Sequence, residues 1–263
     1  MLRNSFWWWY CTNRYNQEYR RVLVELLEKN EDARYLDLGC GDGQLTLKCA
    51  DKIGTEDIYG FEIFEGNIRK AREVGVQCEW VNLDRGLPSA DNSIDIITAN
   101  QIIERLDNTD TFLKEIYRIL KPGEYLIIST NNLASLHWIV MFILGIQPPT
   151  ADVSDEMNAI RAFGSYKGER MHRRLFTLRG LTKVLRYYGF ETEKEVGSYY
   201  FPFPVWLARI LCWIDKWHAT CITVKARKPT TIKDREKAMF EAAHKILATS
   251  ALLAIVDKME KEV

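Results

Sequence analysis

At 263 residues, 47% hydrophobic and 27% charged, the chain has the size and balance of one globular α/β domain with appendages. Its 36 basic and 36 acidic side chains cancel, so no overall field draws it to nucleic acid, and such a partner is not favoured. The six cysteines (11, 40, 49, 78, 212 and 221) contain no Cys-x-x-Cys pair, which argues against zinc and dithiol motifs and suits a reducing cytoplasm.

Phe6-Trp7-Trp8-Trp9-Tyr10 is too short and too aromatic for a signal peptide, and no small-residue cleavage site follows it. An amphipathic helix is expected over 12–29, with Val22, Leu23, Leu26 and Leu27 on one side. Strands and helices then alternate. Strands are expected at 35–38, 58–61, 78–81, 93–99 and 125–129, with helices at 45–53, 66–74 and 110–120, the last stopped by Lys121-Pro122-Gly123. Strands separated by helical patterns mean βαβ units and a mainly parallel sheet.

After the fifth strand the regularity breaks. Residues 131–175 read as an insertion whose longest apolar run, Trp138 to Ile146, is far short of the ~20 residues of a membrane span. Thr177 is an N-cap for a helix over 178–188 that closes at Gly189. Two further strands follow at 191–200 and 219–227, separated by a second insertion over 199–217, and 230–263 reads as a C-terminal helix. The expected division is an aromatic, helical lid over 1–30, a core domain over 31–229, and that last helix.

The densest chemistry lies in Tyr35-Leu36-Asp37-Leu38-Gly39-Cys40-Gly41-Asp42-Gly43. Three glycines at alternate positions between a strand and a helix let a ligand lie against bare backbone. Glu62, at the end of the next strand, suits the hydroxyls of a ribose. A dinucleotide fingerprint wants G-x-G-x-x-G, whereas the spacing here is G-x-G-x-G. Asp42 would repel a pyrophosphate, and Asp37 just before the loop suits an ammonium group. The combination points to S-adenosylmethionine rather than NAD.

With these motifs the chain resembles the class I S-adenosylmethionine-dependent methyltransferases, and within them the type 11 group. The resemblance is close from Ala33 to Thr130 and looser to Lys228. It continues through Asn82-Leu83-Asp84-Arg85-Gly86-Leu87-Pro88, Asp91-Asn92-Ser93-Ile94-Asp95 and Leu113-Lys114-Glu115-Ile116-Tyr117-Arg118-Ile119-Leu120-Lys121-Pro122-Gly123. It implies a Rossmann-like fold with a seven-stranded, mainly parallel sheet flanked by helices, an insertion after strand five and extra terminal helices. It also implies that Asp37 and the loop at Gly39, Cys40, Gly41 and Gly43 hold the methionine part, that Glu62 takes the ribose and that Ile63 lies against adenine. Asn82 with Leu83 would meet the adenine edge, where the family usually has an aspartate; Asp84 is a rival. Asn100 would sit where sulfonium and acceptor meet, and S-adenosylhomocysteine would be the product.

An oxygen or nitrogen acceptor of high pKa needs a base. His172, in a Met-His-Arg-Arg-Leu-Phe-Thr stretch resembling one that relatives place beside the substrate, is the first choice, and His137 the second. Relatives that methylate phenols often carry Glu-x-x-Glu-His where this chain has Gln101-Ile102-Ile103-Glu104-Arg105. Only Glu104 remains, so no metal is expected, an ion pair with Arg105 is, and Glu104 stays a catalytic candidate. Aromatic residues at 6–10 and 199–217, and eight Lys/Arg against a single Glu within 161–186, suit a small or amphiphilic, even lipid-linked, acceptor and peripheral membrane contact. The same aromatic faces suit a homodimer. O-methylation is favoured, with a catalytically silent partner subunit or a tRNA methyltransferase as alternatives.

Overall fold

The computed structural model describes residues 6–147 and 172–231, with side chains from residue 13 onward. The aromatic side chains of 6–10, the acidic stretch and basic residues before 172, and the helix expected over 230–263 lie outside the described residues. The chain opens with helix α1 (Phe6–Glu25) and strand β1 (Tyr35–Leu38). Helix α2 (Gln44–Ile53), β2 (Ile58–Glu62), α3 (Glu65–Glu73) and β3 (Gln77–Trp80) follow. Next come β4 (Ile94–Asn100), α4 (Thr109–Ile119), β5 (Leu120–Asn131) and α5 (Leu136–Ile143). The last elements are α6 (Leu178–Tyr187), β6 (Glu191–Ser198), α7 (Val205–Ile214) and β7 (Cys221–Arg227).

The seven strands form one sheet in the order β3-β2-β1-β4-β5-β7-β6. All pairings are parallel except those of β7, which runs against both β5 and β6. The chain builds outward from β1 through β2 to β3, then crosses back to place β4 on the other side of β1. Ligands of open α/β sheets bind beyond the strand C-termini at such a reversal.

Period-two burial puts a helix layer on each face. On β1, Leu36 and Leu38 join Ile97, Leu126 and Val224 under α4 and α6, where Phe112, Leu113, Leu181 and Leu185 are buried. Tyr35, one residue out of phase, joins Ile96, Tyr125 and Ile127 under Leu23 of α1, Leu27 just after it, and Cys49, Ala50 and Ile53 of α2. Burying each such side chain is worth about 1.5–3 kcal/mol, which overrides the modest propensity of the short strands. The expected Thr177 cap forms, its Oγ1 accepting from Gly180 N at 3.1 Å, and Asn108, not foreseen, caps α4 by accepting from Thr111 N at 3.0 Å.

Element limits differ most from the sequence pattern at two places, with shifts of one or two residues elsewhere. Helix α1 starts at Phe6 and ends at Glu25 rather than spanning 12–29, because the aromatic run continues the helix and the chain must turn toward β1. Strand β5 begins at Leu120, opposite Ile94, and the Lys-Pro-Gly helix stop is carried within the strand as an irregularity in that ladder.

Candidate functional site

The loop after β1 is built by three left-handed glycines with different surroundings. Gly39, Gly41 and Gly43 have φ of 77°, 57° and 79°. A Cβ on Gly43 would stand 3.0 Å from Ala71 Cα, so that glycine lets α2 pack on α3. A Cβ on Gly41 would meet no protein atom within 4 Å; the backbone there faces open space, as a ligand cradle requires. Gly39 N and Cys40 N donate to Phe61 O at 2.8 and 3.2 Å, tying the loop to β2.

Glu62 locks the same loop. Its Oε2 accepts from Gly41 N at 2.9 Å and its Oε1 from Ile63 N at 2.7 Å and Phe64 N at 3.0 Å. Asp37 is buried, with Thr46 Oγ1 donating at 2.6 Å and Thr98 Oγ1 at 2.7 Å. Burial raises its carboxyl pKa, and the two hydroxyl bonds oppose the rise. Asn82 Oδ1 accepts from Asp84 N at 3.1 Å, turning the chain so that Asp84 Oδ1 meets Asn108 N. Asn100 Oδ1, at the end of β4, accepts from Ser129 Oγ at 2.6 Å. The site residues expected from β1, β2 and β4 therefore lie at the C-terminal ends of adjacent strands, while Leu83 is buried in the core.

Next to Asn100 the chain is strained: Gln101 has φ of 56°, unusual for a residue with a side chain. Its Nε2 donates to Cys221 Sγ at 3.2 Å, at the start of β7. A short 3₁₀ turn, Ile103–Arg105, then buries Glu104. Thr130 Oγ1 donates to Glu104 Oε2 at 2.9 Å, and the backbone N–H groups of Arg173 and Arg174 donate to its carbonyl oxygen at 2.7 and 3.0 Å. Oε1 has no hydrogen-bond partner and lies 3.9 Å from His172 Nε2. Burial pushes the Glu104 carboxyl up to about 7. In place of the expected ion pair, the carboxylate turns to Thr130 and His172, and Arg105 acts as a nearby positive charge.

His172 Nε2 lies 3.4 Å from Asn131 Nδ2, and its buried Nδ1 has no partner. Burial and the charge of Arg105 lower its pKa to about 4. His137 stands apart from this group. It starts α5 with its ring 5.3 Å from that of Phe201, an unpartnered buried Nδ1 and a pKa lowered by burial to about 4.

Sequence reasoning missed Tyr15 and Asn131. Tyr15, from α1, is half-buried and donates its hydroxyl to Asn131 Oδ1 at the end of β5. Nothing in the local sequence separates Tyr15 from its neighbours; the partners are 116 positions apart.

A sheet in this order, with a bare-backbone loop after its first strand and a carboxylate locking that loop from the second, defines the class I nucleoside-cofactor methyltransferases. The methyltransferase domain family matches residues 12–195, and the chain belongs to it. S-adenosylmethionine is its cofactor, and the open face of Gly41 beside Glu62 fits it. Among curated relatives, the chain is 34% identical over 120 residues to a sterol 4-C-methyltransferase of Caenorhabditis elegans, covering 42% of this chain and 36% of that one. It is 24% identical over 179 residues to the mitochondrial ubiquinone biosynthesis O-methyltransferase of Rattus norvegicus, covering 65% and 48%. The matches thus span about half or less of those relatives' length. The structure is similar to an S-adenosylmethionine-dependent methyltransferase of Mesorhizobium loti (TM-score 0.59, 18% identity, 79% of this chain and 96% of that one). It is also similar to a possible histamine N-methyltransferase of Thermotoga maritima (TM-score 0.58, 20% identity, 84% and 92%). At such identities these last two speak for the fold.

Proposed function

We propose that this chain transfers a methyl group from S-adenosylmethionine to an oxygen of a small amphiphilic acceptor. When bound, the cofactor supplies a methyl on a sulfonium, open to in-line displacement. The residues that would hold it are Gly39, Cys40, Gly41 and Gly43 with Asp37 for the methionine part, Glu62 for the ribose, and Ile63, Asn82 and Leu83 for adenine, with Asn100 at the sulfonium. The observation that carries the acceptor end is the pair of buried, unpartnered atoms, Glu104 Oε1 and His172 Nδ1, past the end of β4. Leaving such atoms unpaired costs about 1–3 kcal/mol each, which a ligand carrying its own donor and acceptor recovers.

Amphiphilic character is supported by the surroundings. A cleft of about 430 Å³ between α1, β6 and α7 combines apolar lining from Val22, Leu26, Val196 and Trp213 with charged lining of both signs, Glu18 and Arg209 among them, and reaches Ser198 and Tyr199. Ser198 pairs in register with Cys221, and the Tyr199 ring lies 6.3 Å from that of Tyr15, which supports an acceptor approaching from this cleft. Helices α5 and α7 also present apolar side chains to solvent, Ile143 at 79% and Trp213 at 86% exposure among them. They suit peripheral contact with a lipid surface; no described helix is long and apolar enough to cross a membrane. Among the relatives, those named for sterol and for ubiquinone biosynthesis favour the same acceptor class.

Calorimetry with S-adenosylmethionine and S-adenosylhomocysteine, with NADH as control, tests the cofactor side. Isotopic methyl transfer into lipid extracts and small phenols then tests the acceptor. Binding of NADH without S-adenosylhomocysteine would refute the reading. For the lipid contact, wild type should sediment with anionic vesicles, and the pair W206S/W213S should not; equal sedimentation would remove α7 from that surface.

A further inference from the structure

We infer that Tyr15 and Asn131 are positioning residues that hold His172 as a hydrogen-bond donor, and that Glu104, not His172, receives the proton the acceptor loses. This rests on the methyl-transfer reading above.

The chain of donors settles the roles. The Tyr15 hydroxyl donates to Asn131 Oδ1, which marks Nδ2 as the end of the amide facing His172, 3.4 Å from Nε2. An amide nitrogen only donates, so Nε2 accepts and carries no proton. A neutral imidazole keeps its single proton on the other nitrogen, which makes Nδ1 an N–H donor. That Nδ1 is the buried atom without a partner. The ring therefore offers the site a donor, while its lone pair is occupied. A base needs a free lone pair, and burial holds this ring neutral with a pKa of about 4.

Glu104 offers what His172 lacks. Thr130 occupies Oε2, and Oε1 is a buried acceptor with no partner. The groups that act on it are Arg105 from its own turn, His172, Tyr15 and Tyr19 from α1, and Cys221 from β7. Burial raises both phenols and pushes the Cys221 thiol up to about 12, so these stay uncharged at neutral pH. The carboxyl itself, at about 7, exchanges a proton near neutrality.

In the transfer the acceptor's O–H proton passes to Glu104 Oε1 as its oxygen forms the new O–C bond, and the C–S electron pair stays on sulfur. Oε1 lies 3.9 Å from the Nε2 edge of the ring and the N–H is on its other nitrogen, so an acceptor that satisfies both brings a second oxygen close to its hydroxyl. The acceptor class is therefore a hydroxyl flanked by a carbonyl, ether or second hydroxyl oxygen.

The test reads tautomers, not turnover. Histidine ¹⁵N spectra of the full chain, assigned with H172Q, should show His172 protonated at Nδ1 only and uncharged at about pH 5. N131D, which can only accept, should move the proton to Nε2; Y15F, which frees the amide to rotate, should mix the tautomers. Carboxyl ¹³C titration, assigned with E104Q, should place Glu104 near 7. A wild-type His172 protonated at Nε2, or unmoved in both variants, would overturn the inference, as would a Glu104 fully ionised at about pH 5. S-adenosylhomocysteine calorimetry on the same samples separates the two failures. Intact affinity with the wrong tautomer overturns this inference alone, whereas absent affinity overturns the methyl-transfer reading and Glu104's role with it.

Discussion

Replacing Gly41 and Gly43 by alanine, one at a time, separates a ligand cradle from a packing glycine. At Gly41 the added Cβ meets no protein atom within 4 Å, so the cost to folding is left-handed strain at φ of 57°. That strain is about 1–2 kcal/mol, offset by about 0.4–1 kcal/mol from the stiffer unfolded chain. The net, about 1 kcal/mol or less, lowers Tm by roughly 2–4 °C in a domain of this size. At Gly43 the same strain applies, and the Cβ also stands 3.0 Å from both Ala71 Cα and Val74 Cγ2 and 3.2 Å from Ala71 Cβ. Overpacking against the α3 backbone adds about 1–3 kcal/mol, so G43A should melt roughly 5–15 °C below wild type. Binding should rank the other way. G41A puts a methyl group into the cradle and should lose S-adenosylhomocysteine affinity at least about tenfold, the order of a 1.4 kcal/mol clash. G43A, measured where it is still folded, should keep most of it. Thermal melts and calorimetry on the three proteins decide the matter. If G41A binds like wild type, the cofactor does not lie against this loop.

E104Q should change how stability depends on pH. The folded pKa of Glu104, about 7, lies above the ordinary 4.5, so its contribution is present below about pH 4.5 and lost as pH rises through 7. At about 1.4 kcal/mol per pKa unit, E104Q should gain about 3 kcal/mol on wild type between pH 4.5 and 8 in denaturant titrations; a constant gap would contradict a buried, ionising carboxyl. His137 and His172 work oppositely. Their folded pKa values of about 4 lie below 6.5, so their contribution is present above pH 6.5 and lost as pH falls through 4. H137Q should therefore flatten the acid limb of the stability curve, and an unchanged limb would place that ring in water. Lys228 is buried, with Nζ donating to Asn92 Oδ1, Tyr117 O and Leu120 O at 2.6–2.7 Å. K228M should cost about 3 kcal/mol in the same titrations, and a loss below about 1 kcal/mol would mean those acceptors find water.

The proposed cofactor half of this site could be named from the sequence because it is local. Asp37, the three glycines and Glu62 lie within 26 consecutive residues, and the structure brings them to the ends of two adjacent strands. The proposed acceptor half could not, because Tyr15, Glu104, Asn131, His172 and Cys221 are distant in sequence and only tertiary packing brings them together. His172 was found through its motif, but its role could not be read there, since the tautomer depends on an amide 41 positions away that is oriented by a tyrosine on α1. The expected Glu104–Arg105 pair failed for a related reason. Neighbours on a tight 3₁₀ turn diverge, and the carboxylate found Thr130 across the sheet. All seven strands lie where the pattern put them to within a few residues, and the buried interior strands β1 and β2 match it best, since two-sided burial leaves a nearly continuous apolar signature.

The reversal of β7 has a consequence for how such a protein can change. Because β7 runs against its neighbours, the chain entering it at Cys221 arrives beside the outgoing ends of β5 at Asn131 and β6 at Ser198. The segments after β5, after β6 and before β7 therefore all open onto one rim, whereas the donor cradle is drawn from β1 and β2 on the opposite flank of the crevice. Insertions, deletions and exchanges along that rim can remodel what the enzyme accepts without disturbing what it uses as donor. Acceptor preference is in this sense a replaceable module, and its variation across descendants of one scaffold should be concentrated in residues 132–147 and 199–220.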